Sequence, residues 1–300
     1  MAAVDVGGTR TKSALVDEQG AEVVSRTGPT PRGLDRPGAL ASAVEAAFTE
    51  LVDLGAREAG APEVVALGVV VPGLVDDQAG VARYSANLGW RDEQVVAPLE
   101  GALHLPVALG HDVRAGLLAE SRWGAARSAR HALFLPVGTG IAGALMLDGH
   151  VISADGWSGE LGHVVVEPDG PVCGCGARGC LEAVASAAAI EAAYAARSGE
   201  RVGADVVAGR VAAGEPAAQA VWTRAVDALA SAVVTAVTLT GVDLVLVGGG
   251  LARSGEVLLG PLRRAVESRL TFQRRPRITE AALGDRAGCL GSACLAWDLV

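Results

Sequence analysis

The sequence predicts an α/β protein of two related halves with a cleft between them, and three observations carry that expectation. Short apolar runs that fit buried strands alternate with longer breaker-free segments rich in small apolar residues, which fit helices. A strand, a glycine turn and a second strand occur at Ala2 to Asp17 and recur at His131 to Leu147. Three hundred residues, half of them apolar, can bury a large core in one or two domains.

The first apolar run, Ala2 to Val6, breaks at Gly7-Gly8-Thr9 and resumes at Thr11 to Asp17, which predicts a hairpin. Its turn exposes backbone N–H groups and a hydroxyl beside Asp5 and the single lysine, Lys12. Such a turn can cradle phosphate, with Asp5 holding magnesium through water; a plain tight hairpin is the alternative. After a Pro/Gly-rich loop from Gly28 to Gly38, a helix is expected from Pro37 to Ala59 and a strand from Val64 to Val71. Pro72-Gly73 stops that strand where ligands approach the carboxyl edge of an α/β sheet. Tyr84 to Trp90, with Asn87 at its centre, fits either a loop lining a sugar pocket or an ordinary surface loop.

Pro106 to Gly110 reads as a strand, and His111-Asp112 opens a helix that runs to Trp123. Asp112 at that junction suits an N-cap, and the same position also suits a general base facing a cleft. A strand at His131 to Val137 ends in Gly138-Thr139-Gly140, and Ile141 to Leu147 with Val151 to Ala154 forms a hairpin turning at Asp148-Gly149. Helices are expected at Ala185 to Ala196, Ala204 to Ala212 and Pro216 to Thr240, then a buried strand at Val242 to Val247. Gly248-Gly249-Gly250 ends that strand and permits close approach of a flat ligand. A helix from Glu256 to Leu270, a strand near Arg277 to Ala281 and a helix from Arg286 to Trp297 complete the chain.

The densest chemistry lies between Glu160 and Glu182. Cys173, Cys175 and Cys180 are spaced C-x-C-x4-C, with His163 ten residues upstream. Together they offer the four ligands of a closed tetrahedral zinc site, and Gly174, Gly176 and Gly179 permit the turns a backbone needs to wrap an ion. Reduced thiols or a disulfide are the bland alternative. A metal there would aim the flanking carboxylates of Glu160 and Glu182 at one place, a candidate substrate site. Cys289 and Cys294 read as reduced core residues.

A net charge of −9 argues against a nucleic-acid partner. The N-terminus carries no basic region followed by a long apolar run, and no uninterrupted apolar stretch reaches the roughly 20 residues of a membrane span. The expectation is a cytoplasmic protein with no membrane partner.

Taken together, Asp5 to Thr9, Pro72-Gly73, the helix start at Asp112, Gly138 to Gly140, Glu160 to His163, Cys173 to Glu182 and Gly248 to Gly250 resemble, in order, the ROK family (repressor, open reading frame, kinase) of bacterial sugar kinases. The resemblance implies two actin/hexokinase-like (ribonuclease H-like) α/β domains flanking a cleft, with a zinc-binding knuckle in the second. The implied boundaries are residues 1–112 plus about 286–300 for the first domain and 113–285 for the second. The implied activity is ATP-dependent phosphorylation of a hexose at its 6-hydroxyl, foremost glucose to glucose 6-phosphate. N-acetylglucosamine, N-acetylmannosamine, fructose and allose are the competing substrates, and a sugar-binding member without catalysis is a further alternative. A repressor of the same family would need an N-terminal helix-turn-helix, whereas the phosphate hairpin here begins at residue 5.

Residue by residue, the resemblance makes Asp112 the catalytic base. It gives Gly73, Asn87, His111, Glu160, His163 and Glu182 to the sugar, with His163 also on the zinc. Asp5, Gly7, Gly8, Thr9 and Lys12 would serve phosphates and Mg²⁺, Gly138, Thr139 and Gly140 a second phosphate contact, and Gly249 with Gly250 the adenosine side. A homodimer or homotetramer is also implied. One departure stands out: kinases of the family commonly carry Asn-Asp at the base and an Asn two residues later, where this chain has His111-Asp112-Val113-Arg114.

Overall fold

The computed structural model describes residues 1–300 and divides into two compact units. The first comprises Met1–Arg127, Ser153–Ser158 and Asp285–Val300, and the second Ser128–Ile152 with Gly159–Gly284. The expected boundary after Asp112 would split a strand from its helix; the compact unit runs on to Arg127 and also takes in Ser153–Ser158.

The first unit begins with β1 (Ala2–Val6), β2 (Arg10–Val16), β3 (Glu22–Pro29), α1 (Ala39–Glu58) and β4 (Leu67–Val71). It continues through β5 (Leu74–Asp76), β6 (Val81–Tyr84), β7 (Arg91–Gln94), α2 (Val96–Leu103), β8 (Val107–His111) and α3 (Asp112–Arg122). The second unit holds β9 (Ala132–Pro136), β10 (Ala144–Leu147), β11 (His150–Val151), α4 (Leu181–Ala185), α5 (Ala187–Ser198), α6 (Ala204–Ala212) and α7 (Pro216–Thr240). It closes with β12 (Leu244–Gly248), α8 (Glu256–Glu267) and β13 (Arg277–Glu280), after which α9 (Ala287–Trp297) returns to the first unit.

The recurring strand–turn–strand motif is mirrored in the sheets. The first is ordered β3-β2-β1-β4-β8 and the second β11-β10-β9-β12-β13. In each, three antiparallel strands lead into two parallel ones, because β1 and β9 pair in parallel with β4 and β12. Every residue of β4 and of β12 is buried, as expected of central parallel strands covered on both faces.

Small side chains set the packing distances. A Cβ on Gly68 of β4 would run into the Ser292 carbonyl of α9, and one on Gly291 of α9 would run into the backbone of Ala115 in α3. Ser292 also accepts the Val4 N–H of β1 at 3.1 Å. The Gly- and Ala-rich last helix is thus what lets sheet, α9 and α3 close on one another, and Cys289 and Cys294 are buried on it. In the second unit α7 starts with Pro216 and stops at Gly241 in the left-handed region (φ 69°). Its length and apolar composition would suffice to cross a membrane, yet Val221, Trp222, Ala225, Leu229, Val233 and Val237 are buried in that unit's core.

Several elements go beyond the sequence reading. β5, β6 and β7 form a small antiparallel sheet around the expected Tyr84 to Trp90 loop, which joins β6 to β7; the helix α2 follows it, and β3 extends the first hairpin into a three-stranded edge. These are short or largely exposed elements: β7 reads Arg91-Asp92-Glu93-Gln94 and buries only Glu93, and β3 buries only Val24, so no apolar period marks them. The helix expected from Ala185 to Ala196 is present as α5 and starts two residues later, because Ser186 caps it by accepting the Ala189 N–H at 3.1 Å; the short α4 before it was not anticipated.

Candidate active site

In the first unit, the carboxyl ends of three neighbouring parallel strands carry the candidate residues. These are the turn after β1, Pro72-Gly73 after β4 and His111-Asp112 after β8, the edge of an α/β sheet at which ligands bind. Around the Gly7–Thr9 turn the carbonyls are tied back by Thr30, whose Oγ1 donates to Gly7 O at 2.6 Å and whose N–H donates to Thr9 O at 3.0 Å. Nothing lies within 4 Å of a Cβ placed on Gly8, so the turn has an open side.

Asp5 stands opposite Lys12 across the β1–β2 ladder. Its carboxyl is pushed up to about 7, chiefly by burial and further by the negative charge of Asp112, with Lys12 opposing. Gly288 in the first turn of α9 makes room for it, since a Cβ there would sit 2.6 Å from Asp5 Oδ2. Lys12 itself is anchored to Asp285, donating to that residue's carbonyl with the Asp285 carboxylate 3.9 Å away.

Gly73 is required by geometry: its φ is 101°, and a side chain would meet the Tyr84 carbonyl of β6. Asn87 is exposed in the β6–β7 connection, which is pinned by Ser85 N–H to Trp90 O and Gly89 N–H to Ser85 O.

At the β8–α3 junction the two adjacent side chains take different places. The N-cap of α3 is His111, whose Nδ1 accepts from the N–H groups of Val113 at 3.3 Å and Arg114 at 3.5 Å. Asp112 is the first helical residue; its Oδ1 also accepts from Val113 N–H, at 2.7 Å, and lies 3.4 Å from His111 Nε2. His111 is buried, whereas the Asp112 side chain keeps 28% of its surface exposed, so the carboxylate is fixed but reachable. Arg114 is buried and donates to Gly156 O at 3.2 Å, binding α3 to the Ser153–Ser158 segment.

In the second unit the Cys and His side chains converge. Cys173 Sγ lies 3.6 Å from His163 Nδ1, Cys175 Sγ lies 3.7 Å from Cys180 Sγ, and all four ligand atoms fall within 4.8 Å of one another. A tetrahedron of ~2.3 Å Zn–S bonds has edges of about 3.8 Å, so the donor set and its spacing fit one zinc ion. Burial and the neighbouring thiols push Cys180 up to about 12, a cost a bound cation would remove. The loop is held by Cys173 N–H to Ala177 O, Gly176 N–H to Cys173 O and the Val165–Cys180 bridge. The Glu167 carboxylate takes Arg224 of α7 in a two-pronged ion pair. A Cβ on Gly179 (φ 68°) would collide with the Glu167 carbonyl.

This geometry assigns the two nitrogens of His163. Nδ1 faces the thiols, and Nε2 points toward the Glu160 carboxylate at 3.9 Å. Glu182, two residues after Cys180, sits in the first turn of α4, and its Oε2 accepts the Ile141 N–H at 2.9 Å. A Cβ on Gly140 would stand 2.5 Å from the same oxygen. The Gly138–Gly140 turn is therefore locked directly to Glu182, and Gly138 O also accepts the Ala187 N–H that starts α5. Gly249 (φ 77°) packs on the backbone of Val137, whereas nothing lies within 4 Å of a Cβ on Gly250. Packing within the unit thus accounts for a glycine at 249.

Thr30, Gly288 and the Ile141 N–H, which fix the candidate groups, had no signal in the spacing because each acts through a contact far along the chain.

A family model described as the ROK family matches residues 1–298. The glucokinase of Thermotoga maritima is 33% identical over 97% of this chain and 95% of its own length. The N-acetylmannosamine kinase of Citrobacter koseri is 30% identical over 98% of this chain and 97% of its own. Among solved structures, a ROK family glucokinase from Streptomyces griseus, crystallised with glucose and AMPPNP, superposes with a TM-score of 0.81 at 26% identity, covering 99% of both chains. With motifs in order, sheets matched and the family model spanning nearly every residue, the chain belongs to the ROK family.

Proposed function

We propose that this ROK-family sugar kinase transfers the terminal phosphoryl group of ATP to the 6-hydroxyl of a hexose, with glucose its foremost substrate. The observation that carries the reading is Asp112, a reachable carboxylate at a strand's carboxyl end, held in one orientation by the start of its helix. Phosphoryl transfer asks of a protein mainly positioning, charge neutralisation and a carboxylate to orient the attacking hydroxyl. Asp112 would accept that hydroxyl's proton.

Glu160, His163 Nε2 and Glu182 would bind other sugar hydroxyls, with Gly73 and Asn87 lining the same pocket. A sugar lacking one hydroxyl would leave one of these groups unpaired. The Gly7–Thr9 turn with Asp5, and the Gly138–Gly140 turn, would receive phosphates, and Gly249 with Gly250 the adenosine side. Mg²⁺ bound with ATP neutralises phosphate charge, and Asp5 would hold it through water. Zinc on His163, Cys173, Cys175 and Cys180 would supply rigidity and orient the His163 ring. Glucokinase relatives support glucose; the N-acetylmannosamine kinase relative at 30% identity favours, as the second reading, an N-acetylhexosamine.

A coupled assay with Mg-ATP and a panel of glucose, mannose, fructose, allose, N-acetylglucosamine and N-acetylmannosamine decides between them. Turnover is expected, highest for glucose. If a sugar raises the melting temperature but none is phosphorylated, the kinase reading fails and a binding protein remains.

A further inference from the structure

We infer that His111 is a positioning residue for the base: its Nδ1 is committed to the start of α3, and its Nε2–H orients the Asp112 carboxylate. The inference rests on the reading of Asp112 as base and deepens it.

Nδ1 lies within reach of two backbone N–H groups, Val113 at 3.3 Å and Arg114 at 3.5 Å, so it must be the unprotonated, accepting nitrogen. In a neutral imidazole the proton then resides on Nε2, because the partner of one nitrogen sets the tautomer of the other. Nε2 is the nitrogen that faces Asp112 Oδ1, at 3.4 Å. That oxygen already accepts the Val113 N–H at 2.7 Å. The Val113 N–H and the facing Nε2 edge thus bracket Oδ1 and between them restrict the plane of the carboxyl group.

An asparagine at position 111 could also cap the helix, since Asn is among the best N-cap residues. Its short amide, spent on the helix, would not present a second donor to Oδ1 as the imidazole does. His111 therefore combines two tasks that a substitution can separate. Its burial, with 8% of its surface exposed, also sets it apart from a residue placed to meet substrate.

The test uses His111→Asn, His111→Ala and the wild-type ring. His111→Asn should keep the melting temperature, yet lower kcat by about tenfold or more with the sugar KM changed less than about threefold. His111→Ala should lose both stability and kcat. Nitrogen NMR of imidazole-labelled protein, with the His111 signal assigned by its loss in His111→Asn, should show Nε2 protonated, Nδ1 accepting, and a clear shift in Asp112→Asn. A ring protonated on Nδ1, a signal indifferent to Asp112→Asn, or unchanged kcat in His111→Asn would overturn the inference. If the wild type phosphorylates no sugar, the kinase reading alone falls, and the ring spectra still decide the role of His111.

Discussion

Asp5 is a carboxyl group whose ionisation the fold opposes. Burial, then repulsion by Asp112, hold its carboxyl at about 7 against an ordinary value of 3.8. Between those values the folded chain binds a proton that the unfolded chain has lost, so this group's contribution to stability falls as pH rises through the window. Measured without magnesium, unfolding free energy should decline with pH from about 4 to about 7, with a slope from Asp5 of up to about 1.4 kcal/mol per pH unit. Asp5→Asn should remove that component, and identical pH–stability curves for variant and wild type would refute it. The residue scale is also where sequence reading reached least. Asp112 was legible as either cap or base, but His111 as the actual cap was not, because spacing alone cannot show which of two adjacent side chains turns back onto the helix.

Among the elements, the knuckle from His163 to Cys180 was the most legible and is the most sharply testable. C-x-C-x4-C with an upstream histidine leaves few geometries, and the four side chains do converge. The spacing did not reveal how the knuckle is joined to its surroundings. Glu167 grips Arg224 of α7, and Glu182, carried on the helix that Cys180 begins, holds the Gly138–Gly140 turn through Ile141. Purified wild type should contain about one zinc per chain. Cys175→Ser should lose the metal and lower the melting temperature by more than about 5 °C. A zinc-free wild type as stable and active as a zinc-loaded one would remove the metal from the account.

At the scale of the whole molecule, the repeated strand–glycine-turn–strand motif was enough to anticipate two related α/β units, and the two sheets do share one strand order and one parallel–antiparallel pattern. The small β5-β6-β7 sheet escaped notice because its strands are only three or four residues long and β7 is wholly polar, too little for a period to register. Each repeat brings its glycine turn to the carboxyl end of its first strand, and in the first unit Asp112 stands where β8 passes directly into α3. The proposed transfer rests on Asp112 accepting the hydroxyl proton. The most direct test is Asp112→Ala, compared with wild type by kcat with Mg-ATP and by calorimetric binding of the preferred hexose. A fall in kcat of about 10²- to 10⁴-fold with sugar binding largely retained is the predicted result; near-normal turnover would contradict it.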